Sequence, residues 1–309
     1  MNTLTIIVPC FNEADVLVDF ISTVNLQTQE LPLIKKYLLI NDGSTDDTLD
    51  IMKNLSETFD NIFYLSFSRN FGKEAAILAG LEASDSDFVT IMDADLQDPP
   101  FLLSEMYKDM LEGQYDIVGC RRISRKGEPF IRSFLSRSFY WVINHLSHTE
   151  IPSGVRDFRL MTRQVVNEIL RLTEVNRFSK GLLAWVGFKT KYLSYENIER
   201  KAGKTSWRFW QLISYSIDGI VNFSDAPLNF ATLMGFISFI ISMLLAAFYT
   251  FKTLIFGDPV QGFPTLITLL LLIGGIQLFA LGIIGKYIGK IFLETKHRPI
   301  YIIKEKHLD

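Results

Sequence analysis

The chain has 309 residues, 31 Lys and Arg against 34 Asp and Glu, and a mean hydropathy of +0.20. Two cysteines exclude a disulfide framework, and the small negative net charge gives no ground for nucleic-acid binding. A wholly soluble protein is disfavoured too, because residues 226–251 and 259–285 carry no charged side chain and each exceeds the ~20 apolar residues that cross ~30 Å of hydrocarbon.

The chain opens with no basic stretch followed by a long apolar one, so no signal peptide is expected and residues 1–227 are assigned to the cytoplasm. Over the first 120 residues, short β-branched apolar runs at 4–9, 37–41, 62–67, 88–92 and 116–119 read as buried parallel strands. Helical patterns lie between them at 13–28, 46–56, 72–83 and 99–112. Pro99-Pro100 suits a helix start, and Asp46 or Asp47 suits another. Strand alternating with helix implies an α/β sheet with right-handed crossovers, whose ligands sit at the carboxyl ends of the strands.

The chemistry-bearing residues gather at those ends. Val8-Pro9-Cys10-Phe11-Asn12-Glu13 follows the first strand and is a weak signal alone, since Glu13 also suits a helix first turn. Asn41-Asp42-Gly43-Ser44 follows the second and forms a tight turn; Asp42 could in addition accept from a ribose hydroxyl or a base N–H. Arg69-Asn70-Phe71-Gly72-Lys73-Glu74 opens a helix with Lys73 available to a phosphate. Asp93-Ala94-Asp95-Leu96-Gln97-Asp98 is the strongest signal. In extended chain, residues two apart point the same way, so Asp93, Asp95 and Gln97 present oxygens to one point, as Mg²⁺ or Mn²⁺ with a bound diphosphate requires. The plain alternative is a solvated acidic turn, which the strand context outweighs. There is no GxGxxG after the first strand and no GxxxxGK[ST], which argues against dinucleotide oxidoreductases and P-loop NTPases.

Farther on, residues 121–137 hold six Lys and Arg (Arg121, Arg122, Arg125, Lys126, Arg132, Arg137) against Glu128 alone. That patch suits a lipid phosphate, and equally a general attraction to an anionic leaflet. Amphipathic stretches at 130–147 and 207–223 have two readings, an interfacial helix or a core-facing one. The two apolar runs follow, then a segment 286–309 with six basic residues against three acidic ones. The positive-inside bias places that end in the cytoplasm, and two spans with both ends inside are self-consistent. Gly275, Gly282 and Gly289 recur every seven residues in the second run, a spacing that suits helix–helix contact in a hairpin or a homo-oligomer.

Taken in order, these motifs resemble inverting family 2 glycosyltransferases of the GT-A fold. Arg156-Asp157-Phe158-Arg159-Leu160, Arg200-Lys201-Ala202-Gly203-Lys204-Thr205-Ser206 and the apolar pair narrow the resemblance to the polyprenyl-phosphate branch, which includes bactoprenol glucosyltransferases and dolichol-phosphate mannose synthases. The resemblance implies a Rossmann-like nucleotide-sugar domain over 1–205, with an interface helix near 130–147. A juxtamembrane helix over 206–225, a two-helix transmembrane hairpin over 226–292 and a basic tail over 293–309 would follow. It implies that Asp93, Asp95 and Gln97 hold Mg²⁺ or Mn²⁺, and that Pro9, Phe11, Glu13 and Asp42 shape the nucleotide pocket. Asp157 falls beside the acceptor. Arg121, Arg132, Ser136 and Arg200 would hold acceptor phosphate, with Arg122 and Arg137 competing for those roles, and Lys204 would lie in a covering loop.

The implied partners are a nucleotide-diphosphate sugar, polyprenyl phosphate, the inner-membrane bilayer, and a separate flippase for the product. UDP-glucose is the first expectation for the donor; UDP-N-acetylglucosamine, UDP-galactose and GDP-mannose stay open. A phosphate monoester is largely dianionic at neutral pH, with a second pKa near ~6, so Asp157 is expected to orient the acceptor rather than take a proton. Two alternatives remain: a processive synthase of the same fold, whose Q-x-x-R-W motif this chain lacks, and a non-catalytic lipid-carrier or flippase-scaffold protein.

Overall fold

A computed structural model describes residues 2–122, 154–195, 221, 224, 226–256 and 262–308. The amphipathic stretch expected at 130–147 lies outside these residues, as does nearly all of the one at 207–223.

Eight strands form one sheet: β1 (Thr3–Cys10), β2 (Ile34–Asn41), β3 (Ile62–Phe67), β4 (Phe88–Ile91), β5 (Ile117–Arg122), β6 (Val155–Thr162), β7 (Thr190–Tyr195) and β8 (Ile303–His307), in the order β7-β5-β6-β4-β1-β2-β3-β8. Helices α1 (Leu17–Gln27), α2 (Thr48–Thr58), α3 (Lys73–Ala83) and α4 (Leu102–Gly113) connect the early strands. Helices α5 (Arg163–Leu170) and α6 (Ser179–Trp185) lie between β6 and β7. The first five strands and four helices are those expected from the sequence, shifted by a few residues at their ends. β1 reads as an apolar run because both its faces are covered. Leu4, Ile6 and Val8 belong to the core that holds α1, α2 and α4, and Ile7 belongs to the core that holds α3 and α5.

β1 pairs in parallel with β2 on one side and β4 on the other, so successive crossovers diverge at its carboxyl end, where open α/β sheets bind ligands. β6 inserts antiparallel between β4 and β5. Its beginning, not its end, therefore reaches the ligand edge. The last β4–β6 pair is Ile91↔Arg159, and two residues beyond it Asp93 and Asp157 come to the same place. A strand that begins Val155-Arg156-Asp157 reads as a polar motif in the sequence, and its strand character escaped the periodicity argument.

Helices α7 (Ala226–Phe256) and α8 (Phe263–Thr295) pack on each other, and Tyr287 Oη donates to the Ser224 carbonyl at 2.7 Å. Ala226–Leu245 and Leu272–Thr295 are long and apolar enough to cross a membrane, and almost none of either is buried in the protein. This matches the expected pair of apolar helices.

The stretch expected as a basic tail over 293–309 contains the end of α8 and a strand. α8 runs to Thr295, and the chain then returns to the sheet as β8, antiparallel to β3. Tyr301 stacks on Phe67 with ring centroids 4.9 Å apart, Phe67 meets Phe71 edge-on at 5.8 Å, and Lys53 pairs with Glu305 at 3.0 Å. β8 thereby covers an edge of β3 that would otherwise expose unpaired backbone groups. Its mostly polar, exposed side chains hide it from a search for apolar strands. Tyr301→Ala removes the stacked pair and leaves a void beside Phe67. The expected outcome is a loss of about 1–3 kcal/mol, read as a lower thermal midpoint of the protein.

Candidate active site

The ligand edge is assembled from four loops. After β1, Asn12 adopts a left-handed backbone (φ 58°), its amide accepts a hydrogen bond from the Thr45 N–H at 2.8 Å, and its own N–H donates to Ser44 Oγ at 3.0 Å. The Glu13 N–H donates to Thr48 Oγ1 at 2.9 Å. The loops after β1 and β2 are thus laced together, with Pro9 half-buried and the Phe11 ring exposed at their rim. This brings Pro9, Phe11, Glu13 and Asp42 onto one side of the edge.

Asp42 is buried, and both its oxygens are engaged. Oδ1 accepts from the Phe71 N–H at 2.6 Å and Oδ2 from the Gly72 N–H at 2.9 Å. Burial raises its pKa above the usual carboxylate value, and the two N–H bonds and Arg69 only partly oppose this. Asp42 therefore holds the loop after β3 in place, in addition to any contact with a ligand. Gly43 makes the close approach possible: its φ is +65°, and a Cβ there would lie 2.3 Å from the Arg69 carbonyl carbon.

That loop delivers Lys73 to the first turn of α3. Lys73 Nζ lies 2.6 Å from Asp93 Oδ1 and 2.7 Å from Asp157 Oδ2. Burial alone would lower the lysine's pKa, but Asp157 and Asp93 raise it well above the usual value. Burial alone would raise Asp157, but Lys73 and Lys180, the latter at 3.9 Å, hold it well below the usual carboxylate range. Asp157 is therefore ionised throughout the neutral range. Its contribution to stability is complete above the unfolded carboxylate pKa of ~3.9 and is lost only as the pH falls toward the folded value.

A second cluster backs the first. Arg156 Nε donates to Asp98 Oδ1 at 3.0 Å, Tyr195 Oη donates to the same oxygen, and an Arg156 Nη2 lies 4.0 Å from Asp93. Gln97 Oε1 accepts from Arg122 at 3.3 Å and Arg156 at 3.4 Å. Two guanidinium groups therefore neighbour the oxygen of the third member of the expected ligand set of Asp93, Asp95 and Gln97. Asp95 Oδ1 accepts from the Gln97 N–H at 3.2 Å, with Leu96 in the left-handed region (φ 53°). No trio of His, Cys, Asp or Glu converges as a ready metal cage among the described residues. The carboxylates of Asp93 and Asp95 are of the donor type that a hard divalent cation takes.

Beside Asp157 opens a cavity of about 820 Å³. Arg69, Lys73, Arg177, Lys180, Lys296 and Arg298 line it, with Asp157 and Glu74 as its acids. Half-buried Glu74 accepts from the Ser179 N–H at 3.0 Å and from its hydroxyl, which anchors α6 and hence Lys180. Sequence reasoning missed Arg156, Asp98 and Tyr195 as a unit, and also Lys180, Lys296 and Arg298. Only the position of Arg156 next to Asp157 gave a hint. Arg121 is exposed at the end of β5. Arg132, Ser136, Arg137, Arg200 and Lys204 lie outside the described residues.

The family model described as Glycosyl transferase family 2 matches residues 5–170. CsbB of Bacillus subtilis (strain 168), described only as a glycosyltransferase, is 45% identical over 99% of this chain and 92% of its own length. The bactoprenol glucosyl transferase of Shigella phage SfV is 40% identical over 98% of both chains. Among solved structures, the mannosyltransferase PcManGT from Pyrobaculum calidifontis in complex with GDP-Man and Mn²⁺ is 18% identical, with a TM-score of 0.48 over 70% of this chain and 64% of that one. This chain belongs to glycosyl transferase family 2 and is a glycosyltransferase enzyme with a GT-A, Rossmann-like sheet.

Gly43→Ala tests the local frame. A Cβ there clashes with backbone and strains a left-handed turn. The expected cost is about 2 kcal/mol or more, with a protease-sensitive 69–72 loop in limited proteolysis.

Proposed function

We propose that this enzyme transfers a hexose from a nucleotide-diphosphate sugar to polyprenyl phosphate at the membrane surface, with inversion at the anomeric carbon. The observation that carries this reading is the cationic cavity that joins Asp157 to the end of the apolar helix α8. Near-full-length similarity to a bactoprenol glucosyl transferase supports the acceptor, and its name favours glucose, with UDP-glucose as the first donor to try.

In this reading Pro9, Phe11, Glu13 and Asp42 shape the nucleotide pocket, and Lys73 and Asp93 face the diphosphate. Asp93 and Asp95 would hold Mg²⁺ or Mn²⁺, which supplies Lewis-acid stabilisation of the leaving diphosphate. An oxygen of the acceptor phosphate attacks the anomeric carbon, and the bond from that carbon to the diphosphate oxygen breaks. The acceptor is already dianionic, so no proton need leave. Asp157, pinned between Lys73 and Lys180, orients the acceptor side of the site. The arginines of 121–137 and Arg200 supply further charge for the acceptor phosphate. The unit comprising residues 1–205, the juxtamembrane segment and the two spans places the chemistry at the cytoplasmic face of the inner membrane.

Three outcomes are expected. Purified full-length protein with undecaprenyl phosphate and separate radiolabelled donors should put label into the lipid phase with UDP-glucose, and EDTA should abolish it. Label from another donor would change the sugar. No lipid product from any nucleotide sugar would refute the reading. Asp95→Asn should lower transfer on the order of 10²-fold with the thermal midpoint retained, a loss sized to one preorganised electrostatic contact. The acid limb of kcat/KM for the acceptor should follow the phosphate's second ionisation near pH ~6. Asp157→Asn should lower kcat and leave that limb where it is; disappearance of the limb would make Asp157 the base.

A further inference from the structure

The segment that follows α8 is held at two points. At the helix end, the Glu294 carboxylate accepts from the Val175 N–H at 2.9 Å and the Asn176 N–H at 3.3 Å, both in the loop that leads to α6. Beyond it, Tyr301 and β8 are fixed on β3. Residues 296–300 are thereby stretched along the rim of the Asp157 cavity, and Lys296, Arg298, Pro299 and Ile300 line it.

The charges in that cavity are not balanced internally. Lys73 is taken up by Asp93 and Asp157, and Glu74 by Ser179. Arg177 donates to the carbonyls of Leu172 and Ile169. Lys296 rests only over the Phe292 ring, at 4.0 Å, and Arg298 has no carboxylate within ion-pair distance among the described residues. Lys180 reaches Asp157 only at 3.9 Å. Arg69, which also lines the cavity, lies over the Phe71 ring at 4.1 Å and donates to the Asn70 carbonyl at 2.9 Å. Lys180, Lys296 and Arg298 thus face a cavity wide enough for a phosphate, on the Asp157 side; Asp93 is not among its lining residues.

We propose that Lys296 and Arg298, with Lys180, hold the phosphate of the lipid acceptor, so that the second apolar helix itself delivers the phosphate-binding wall of the acceptor site. This rests on the acceptor named under the proposed function. A charged side chain opposite a phosphate makes strong, charge-assisted hydrogen bonds, and both exposed side chains can change without disturbing a core. The donor diphosphate is assigned to the other side, at Asp93.

The test uses full-length protein in neutral detergent, immobilised, with radiolabelled undecaprenyl phosphate as probe. The K296Q/R298Q variant should retain the lipid about tenfold to a hundredfold more weakly than the wild type, with UDP-glucose binding unchanged. K296R/R298K should recover most of the loss. Equal retention by wild type and K296Q/R298Q overturns the inference. So does a parallel loss of UDP-glucose binding, which would assign the cavity to the donor. A third overturning result is weaker binding to phosphatidylglycerol vesicles with unchanged retention of undecaprenyl phosphate, which would make these residues a general membrane contact. Failure of the wild type to retain undecaprenyl phosphate refutes the proposed function itself, and this inference with it.

Discussion

The site depends on one ammonium group. The antiparallel insertion of β6 brings Asp157 beside Asp93, and two carboxylates so placed repel each other unless a cation stands between them. Lys73 is that cation, at 2.6 Å from one and 2.7 Å from the other. Its position is set in turn by Asp42, which fixes the Phe71 and Gly72 amides, and by Gly43, which lets the two loops touch. A chain of local contacts thus converts the order of strands into a fixed arrangement of charge. Asp93 ends on the side of Asp95 and Asp157 on the side of the cationic cavity, with Lys73 marking the boundary between them.

A second layer keeps this arrangement stiff. Asp98 is buried and accepts from both Arg156 and Tyr195, and Arg156 in turn reaches toward Asp93 and Gln97. Burying one carboxylate is costly unless it is fully engaged, and here two donors from β6 and β7 meet it. The same logic holds for Glu74 and Ser179 on the opposite side, where α3 is tied to α6. Asp98 and Glu74 thereby set the positions of Arg156 and Lys180.

Much of this was legible in the sequence, for a definite reason. β1 to β5 are covered on both faces or nearly so, and such strands appear as unbroken apolar runs. The Asp93 and Asp42 turns lie at their ends, where side-chain alternation and turn chemistry are local. What escaped depends on partners remote in the chain. β6 begins with charged residues because its beginning lies in the site. β8 is polar because it covers an edge. The contacts of Arg122 and Arg156, the latter 59 residues away, to the Gln97 oxygen are likewise invisible in a linear string. Lys296 and Arg298 looked like an ordinary basic flank of a span, since nothing in a linear string reveals that β8 turns the chain back onto the sheet.

On the proposed lipid acceptor, that return has a physical consequence. Drawing a polyprenyl chain out of the bilayer costs about 0.8 kcal/mol for each CH₂ exposed, so the reacting phosphate must stay near headgroup level and the catalytic edge must come to it. A loose linker would leave that distance to chance. Here the end of α8 is clamped to the loop before α6 by Glu294, and within a few residues the chain is fixed again by Tyr301 against Phe67. Phe67 touches Phe71, whose amide Asp42 holds. The apolar helix and the Lys73 loop are therefore parts of one mechanical unit. In that reading the height of the catalytic edge above the membrane would be set by packing and hydrogen bonds, not by the length of a tether.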